Sequence, residues 1–424
     1  MPLTLYSGAP MKHVLLTTVG SAGDVYPMLG LGAGLRARGH TVTLVCAPIF
    51  EGDVRAAGLE FIPLGTLDDI RAALNEPDLW HPVKGLAVIA RLAILKYMRP
   101  LYEILARYDP EKTLVVASSL AFGARLAQEA RGLPLATVHL QPSILMSAHE
   151  PAELGGVGIP DWVPMGFRKA FLAGIERFTV DRLMAPDLNA FRAELGLEPV
   201  SKIFSSWMNS PELVLGFFPP WFAEPQPDWP EKMQLTGFIK HESAGGELPE
   251  TVADFLDAGD PPVVFTAGSA NVHGGDYFEA AVRAVETLGR RAVLLTRFPE
   301  QLPDALPPNI LHAEWVPMRK LLERSASIVH HGGIGTMAQA LAAGIPQLVT
   351  PLAHDQFDNA NRVVRMGVGD RLDPRRFTPG RAARVLDRLL KDEDVLARAK
   401  GCSQKVDFET ALADTCKFLE EEFL

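Results

Sequence analysis

The sequence predicts an α/β protein built from two Rossmann-like domains that face each other across a cleft. Three observations carry that expectation. The chain has 424 residues, too many for one ordinary hydrophobic core and suited to two. Apolar runs followed by a glycine turn and a helical pattern occur in two separate sets. Between the sets lies FFPPWFAEPQPDWPEK (217–232), where the prolines oppose a helix interior or a central strand. The expected boundaries are a first domain over 1–216, a linker over 217–234, a second domain over 235–400, and a C-terminal helix within 401–424 that packs back toward the first domain.

The elements follow in order. HVLLTTV (13–19) is rich in branched residues, as a parallel strand covered on both faces should be. GSAGD (20–24) turns the chain into the helical pattern YPMLGLGAGLRARGH, Gly39 and His40 end that helix, and TVTLVCA (41–47) reads as the next strand. This βαβ unit calls for a right-handed crossover in a parallel sheet. TLVVASS (113–119) and LATVHL (135–140) are further strands around the helix AFGARLAQEARG. The second set opens with PPVVFTAGS (261–269) and a helix over about 277–288, and RAVLLT, NILHAEWV, ASIVHHGG and PQLVTPL supply four more strands. DFETALADTCKFLEEEF is a final helix with an acidic face. Ligands of such folds bind in the crevice at the carboxyl ends of the strands.

Composition narrows the classes of function. Hydrophobic residues make up 47% and charged residues 22%, which is globular. A net charge of −10 opposes nucleic-acid binding, which needs a basic surface. An anionic ligand must therefore be held locally, by backbone N–H groups or a few placed side chains. Cys46, Cys402 and Cys416 have no metal-ligand spacing and are too few for a disulfide framework, so they read as reduced residues of a cytoplasmic protein. MPLTLYSGAP lacks a basic stretch and a long apolar run, so no signal peptide is expected, and residues 1–10 read as an extension ahead of Met11. The apolar stretch VKGLAVIARLAILKYM is interrupted by Arg91 and Lys96, short of the ~18 uninterrupted residues of a membrane span.

The segment IVHHGGIGTMAQALAAGIPQLVTPLAHDQFDNANRV (328–363) carries most of the functional signal. Gly332, Gly333 and Gly335 let backbone approach a ligand closely. N–H groups at the start of the following helix, near Thr336, can hold a diphosphate with help from the helix dipole. His331, at the strand end, can donate to the same phosphates. Asp355 and Gln356 follow the next strand with His354 and Asn359, and carboxylate and amide groups together suit a sugar with several hydroxyls. Taken singly, the glycines make a tight turn and the polar residues cap a helix. In this order and spacing, HHGGIGT, AAGIP and HDQFDN resemble the donor-binding motif of the UDP-glycosyltransferase superfamily, the inverting GT-B enzymes.

The resemblance implies a GT-B fold and a sugar-nucleotide donor as co-substrate. It implies that Trp315 stacks on the base, that the Val316 backbone meets the base edge, and that His331, Gly333, Gly335 and Thr336 hold the diphosphate. Ser269 would contact diphosphate or ribose, and Asp355 and Gln356 would hold the transferred sugar. Gln339 stands where members often place a glutamate on the ribose hydroxyls, so a deoxyribose would also be accepted. His330 reads as packing.

In many members the first turn is Gly-His-x-x-Pro, and its histidine deprotonates the acceptor. Here the turn is Gly23-Asp24-Val25-Tyr26-Pro27, similar to the sterol, glycopeptide-antibiotic and rhamnolipid branches. That similarity implies Asp24 as general base, a role worth about 10²–10⁴-fold, with His331 and the helix N-terminus stabilising the departing diphosphate. Aspartate is also a favoured N-cap, and the two roles are compatible. Ser118 and Ser119 stand where an acidic partner would follow the strand, so Asp24 is expected to act without a dyad. His139 and His149 are the candidates for lining the acceptor pocket. No Asp-x-Asp metal motif is evident, so neither a divalent metal nor another cofactor is expected. GSAGDVYP, LQPSILMSAHEP, DWP…TGF and AHDQFDNANRVVRMG are nearest the rhamnolipid branch, which implies dTDP-rhamnose, with UDP- or dTDP-glucose as the alternative, and a lipophilic hydroxyl acceptor. The stretch 145–171 and the helix at 86–97 are apolar enough for an acceptor pocket, ordinary core, or a patch that meets a membrane surface. A sugar-nucleotide epimerase and a non-catalytic activator are the rival readings; the presence of Asp24, His331, Asp355 and Gln356 favours transfer.

Overall fold

The computed structural model describes residues 13–153, 155–240, 246–269, 271 and 274–424; the extension expected over 1–10 lies outside them. Among the described residues, the first sheet is formed by β1 (His13–Thr17), β2 (Thr41–Cys46), β3 (Glu60–Pro63), β4 (Thr113–Ser118), β5 (Leu135–His139), β6 (Leu213–Gly216) and β7 (Met233–Leu235), in the order β3-β2-β1-β4-β5-β6-β7. The second is formed by β8 (Val263–Thr266), β9 (Ala292–Leu295), β10 (Ile310–Ala313), β11 (Ser327–His330), β12 (Gln347–Val349) and β13 (Gly369–Arg371), in the order β10-β9-β8-β11-β12-β13. All pairings are parallel. Val14, Leu15, Leu16 and the whole of β4 are buried without alternation, because helices cover both faces.

Each sheet reverses its winding beside its first strand, between β1 and β4 and between β8 and β11. A crevice opens at the carboxyl ends of the strands at such a switch point. In the first domain the turn at Gly20 and Ser21 and the helix Ala22–Ala37 stand there; in the second, Gly268, Ser269 and the run from His331 to Gly335.

The stretch expected as a linker is not a free tether. Met233–Leu235 pairs with β6, Val214 opposite Met233 and Gly216 opposite Leu235. Phe218 and Phe222 are buried in one cluster with Met337, Leu341 and Val363 of the second domain. Proline removes backbone donors, but the aromatic side chains between the prolines still bury apolar area. The segment therefore joins the domains by packing. Ionic contacts add to it: Arg362, on the helix Gln356–Arg365, donates to Asp358 (2.7 Å) and the Phe222 carbonyl (2.9 Å) and pairs with Glu150 (3.1 Å). Arg371 holds Glu153 through both terminal nitrogens (2.8 and 3.0 Å). A buried guanidinium is tolerable only with its donors matched in this way.

The helix Phe408–Phe423 lies against the helix Ala22–Ala37. Its Leu412 and Cys416 fit over Gly34, where a Cβ would meet Leu412 Cδ1 at 2.9 Å. Arg38 clasps Glu420 with two bonds, of 2.8 and 2.6 Å. Among the described residues no helix is long and apolar enough to cross a membrane.

Candidate active site

The glycine turn after β11 is fixed by His330. Its Nδ1 accepts from the Gly332 N–H (3.1 Å), so Nε2 carries the proton and donates to Gln347 Oε1 (3.0 Å). Burial pushes this ring down to about 3, which keeps it neutral and able to accept. Gly332 has φ +97°, and a Cβ there would come within 2.9 Å of Val349 and 3.0 Å of the Gln356 carbonyl. Only glycine suits such a position. Gly333 then begins the helix Ile334–Ala343 with no side-chain cap, leaving first-turn N–H groups for an anion.

His331 packs between two glycines. A Cβ on Gly268 would lie 2.9 Å from its ring and one on Gly333 only 2.5 Å. Burial holds the imidazole neutral, pushed down to about 4, and its Nδ1 has no hydrogen-bond partner. A buried polar atom left unpaired costs stability, which makes it ready for a ligand. Ser269 is exposed just past β8, and Thr336 is half-buried in the first turn of its helix. Trp315, after β10, is 48% exposed while Val316 is buried, so an indole face stands open for stacking. The amide oxygen of Gln339 has no partner.

Asp355 and Gln356 open the helix Gln356–Arg365. Asn359 donates one amide to both Asp355 Oδ2 (2.7 Å) and the Gly332 carbonyl (2.9 Å), tying the carboxylate to the glycine turn. Gln356 differs from the expectation that both members of the pair accept and donate. Its Oε1 already accepts from the N–H groups of Leu352 (2.7 Å) and Ala353 (3.1 Å), so only its NH₂ remains for a ligand. His354 has φ +58°, and its ring meets Trp80 of the first domain at 5.6 Å.

Asp24 sits in a capping box. Its Oδ2 accepts from the Ser21 N–H (2.7 Å) and hydroxyl (3.3 Å), while Ser21 Oγ accepts from the Gly23 N–H (3.3 Å). The cap engages one carboxylate oxygen only. Burial raises the carboxyl to about 6 against the lowering effect of those bonds. Asp355, from the other domain, is raised to about 7 by burial and then by the Asp24 charge. The charge of one carboxylate is thus felt by the other. Arg297, past β9, reaches over to hydrogen-bond Tyr26, the second residue after Asp24. The combination offers a half-buried carboxylate, helix N–H groups with no side-chain cap, an open aromatic face and a second carboxylate.

Two expected residues are placed elsewhere. His139 is fully buried, with Nε2 bonded to Asn209 Oδ1 (2.7 Å), and burial pushes it down to about 4. As the last residue of β5 it points into the core, so it does not line an acceptor pocket. His149 lines a cavity of about 420 Å³ with Trp221, Arg362 and Arg365, at the ionic contact between the domains and apart from the donor residues. Asn359, Arg297 and Trp80 act in the cleft without having been singled out for these contacts. Arg297 stands at a strand's carboxyl end, which is a usable signal; Trp80 lies in an aperiodic loop with none.

Residues 14–149 match the glycosyltransferase family 28 N-terminal domain. Residues 292–415 match the C-terminal domain of erythromycin biosynthesis protein CIII-like proteins. O-mycaminosyltylonolide 6-deoxyallosyltransferase of Streptomyces fradiae is 30% identical, over 96% of this chain and 97% of its own. Among solved structures, the glycosyltransferase of kitacinnamycin aligns with TM-score 0.73 at 22% identity, covering 98% of this chain and 100% of that one. The spinosyn rhamnosyltransferase complexed with thymidine diphosphate aligns with TM-score 0.66 at 20% identity, covering 96% and 100%. The two structures share the fold.

Proposed function

The chain belongs to the nucleotide-sugar glycosyltransferases of the GT-B superfamily, and from that membership we propose that it transfers a sugar, with inversion, from a dTDP-linked donor to a hydroxyl of a small lipophilic acceptor. Rhamnose is the favoured sugar, Asp24 the general base, and no metal is required. The observation that carries this reading is the tie that Asn359 makes between the Asp355 carboxylate and the glycine turn, with the Asp24 charge helping to raise Asp355. Asp24 takes the acceptor proton as the oxygen attacks the anomeric carbon. The bond to the diphosphate breaks on the opposite face, and the charge that develops there falls to His331 and the N–H groups before Met337. A carboxyl raised to about 6 suits a base working near neutral pH.

Three features support the donor. Gln339 replaces a carboxylate that would favour a full ribose. The Streptomyces fradiae relative is named for a 6-deoxy sugar, and the spinosyn enzyme was solved with thymidine diphosphate. Calorimetric titration with dTDP and UDP, followed by turnover with dTDP-rhamnose, dTDP-glucose and UDP-glucose, tests it. Tighter dTDP binding and turnover of dTDP-rhamnose are expected; UDP binding as tightly, with UDP-glucose the best donor, would refute the donor assignment.

The turn gives an independent check on the base. Gly20 has φ +142°, and a Cβ there would fall 2.1 Å from Asp24 Oδ2. Gly20→Ala must expel the carboxylate from its place, so turnover should fall by about the general-base factor, 10²–10⁴-fold. Donor binding, measured by the same calorimetry, should stay as in the wild type.

A further inference from the structure

One helix of the first domain is turned inside out. Along Met165–Ile175 and its continuation to Asp181, the buried positions are Arg168, Leu172, Glu176 and Val180, four apart and half of them charged. Both charges are matched inside the protein. Arg168 donates to the carbonyls of Val163 (2.8 Å), Asp161 and His149 (3.4 Å), and Glu176 accepts from the Ser205 N–H (2.8 Å) and hydroxyl. The outward side carries the rings instead: Phe167 is 71% exposed and Phe178 70%, with Phe171 between them and Trp162, 82% exposed, just ahead of the helix. A helix of a soluble domain normally does the reverse. Single exposed rings are ordinary, but four on one short segment mark a surface that something covers.

The charge pattern says what covers it. From Trp162 to Phe178 the exposed charges are Lys169 and Arg177; the exposed Asp161 precedes Trp162 and the exposed Arg182 follows. Arg177 lies over the Phe178 ring at 5.6 Å. Three exposed cations against one exposed carboxylate, Asp161, thus border the rings in a protein whose net charge is −10. We propose that this face docks on an anionic lipid surface, with the rings entering the boundary between headgroups and acyl chains and Lys169, Arg177 and Arg182 meeting the phosphates. A second copy of the chain is a poorer occupant, because a two-fold contact would set the stripe against itself and bring like charges together. The inference needs no sugar nucleotide and stands apart from the donor assignment.

Sedimentation with phosphatidylcholine vesicles containing about 30% phosphatidylglycerol tests it. The full chain should sediment with them at low salt, less with phosphatidylcholine alone, and less again as salt rises. Phe167→Ser with Phe171→Ser should weaken binding about tenfold or more. Lys169→Glu with Arg177→Glu should remove the preference for anionic vesicles. All four side chains are exposed, so circular dichroism and dTDP binding should match the wild type. Failure to bind either vesicle would overturn the proposal, as would binding that both variants retain. A concentration-dependent dimer that Phe167→Ser abolishes would assign the face to a second copy instead.

Discussion

Asp24→Asn should lower turnover by about 10²–10⁴-fold. Asparagine keeps the shape and still offers an oxygen to the Ser21 N–H, so the capping box of the helix Ala22–Ala37 survives. What it cannot do is take a proton. Calorimetry should find dTDP affinity within about twofold of the wild type, since the residues proposed to hold the nucleotide are on the other domain. The pH profile adds a second readout. A carboxyl raised to about 6 is protonated, and useless as a base, below that pH; kcat/KM of the wild type should therefore climb as pH passes about 6 and level off above it. Asp355, raised to about 7 in the same cleft, couples to it, so the apparent midpoint belongs to the pair. In the asparagine variant that climb should vanish from the residual rate. Near-normal turnover would show that the base lies elsewhere.

His331→Ala should cost about 10²–10³-fold in kcat, the scale seen when one preorganised donor to a developing charge is removed. The ring is held between Gly268 and Gly333 with an unpaired Nδ1, so its removal deletes a fixed polar group that no internal partner uses. The loss should be specific to phosphate. Wild-type protein should bind dTDP much more tightly than thymidine, and the variant should lose most of that margin while binding thymidine nearly as well. An unchanged dTDP-to-thymidine ratio would refute the diphosphate role. Thermal melting should fall only by what the lost packing between the two glycines costs, because Nδ1 makes no internal hydrogen bond to lose.

The legible parts of this chain are those where local chemistry and position in the fold coincide. The buried branched runs 13–17 and 113–118 could only be central parallel strands, and a glycine turn after each domain's first strand located both crevices. Gly332 was readable because no other residue fits its φ and its neighbours. Residues whose role comes from distant partners were less readable. His139 looked like a titratable group at a strand end, yet β5 is buried at every position and the ring bonds Asn209 inside the protein. The proline-dense 217–234 was judged by its backbone, and the burial of Phe218 and Phe222 against the second domain depends on partners more than a hundred residues away. The amide oxygen of Gln356 was offered to a sugar by its sequence context, but a turn beginning at Leu352 had already taken it.

The helix that carries Asp24 leans on residues made much later. Ala411, Cys416 and Leu419 belong to the same core as Val14, Leu31 and Leu35, and an entire second domain is translated between those two groups. A nascent first domain therefore emerges with the outer groove at Gly34 bare and its core unclosed, and it must wait through the making of the second before the helix Phe408–Phe423 can seat. Contacts so distant along the chain form slowly, and a half-made protein of this kind exposes apolar surface for the whole delay. The scaffold beneath Asp24 is thus completed by residues 411–419, which follow the whole second domain along the chain.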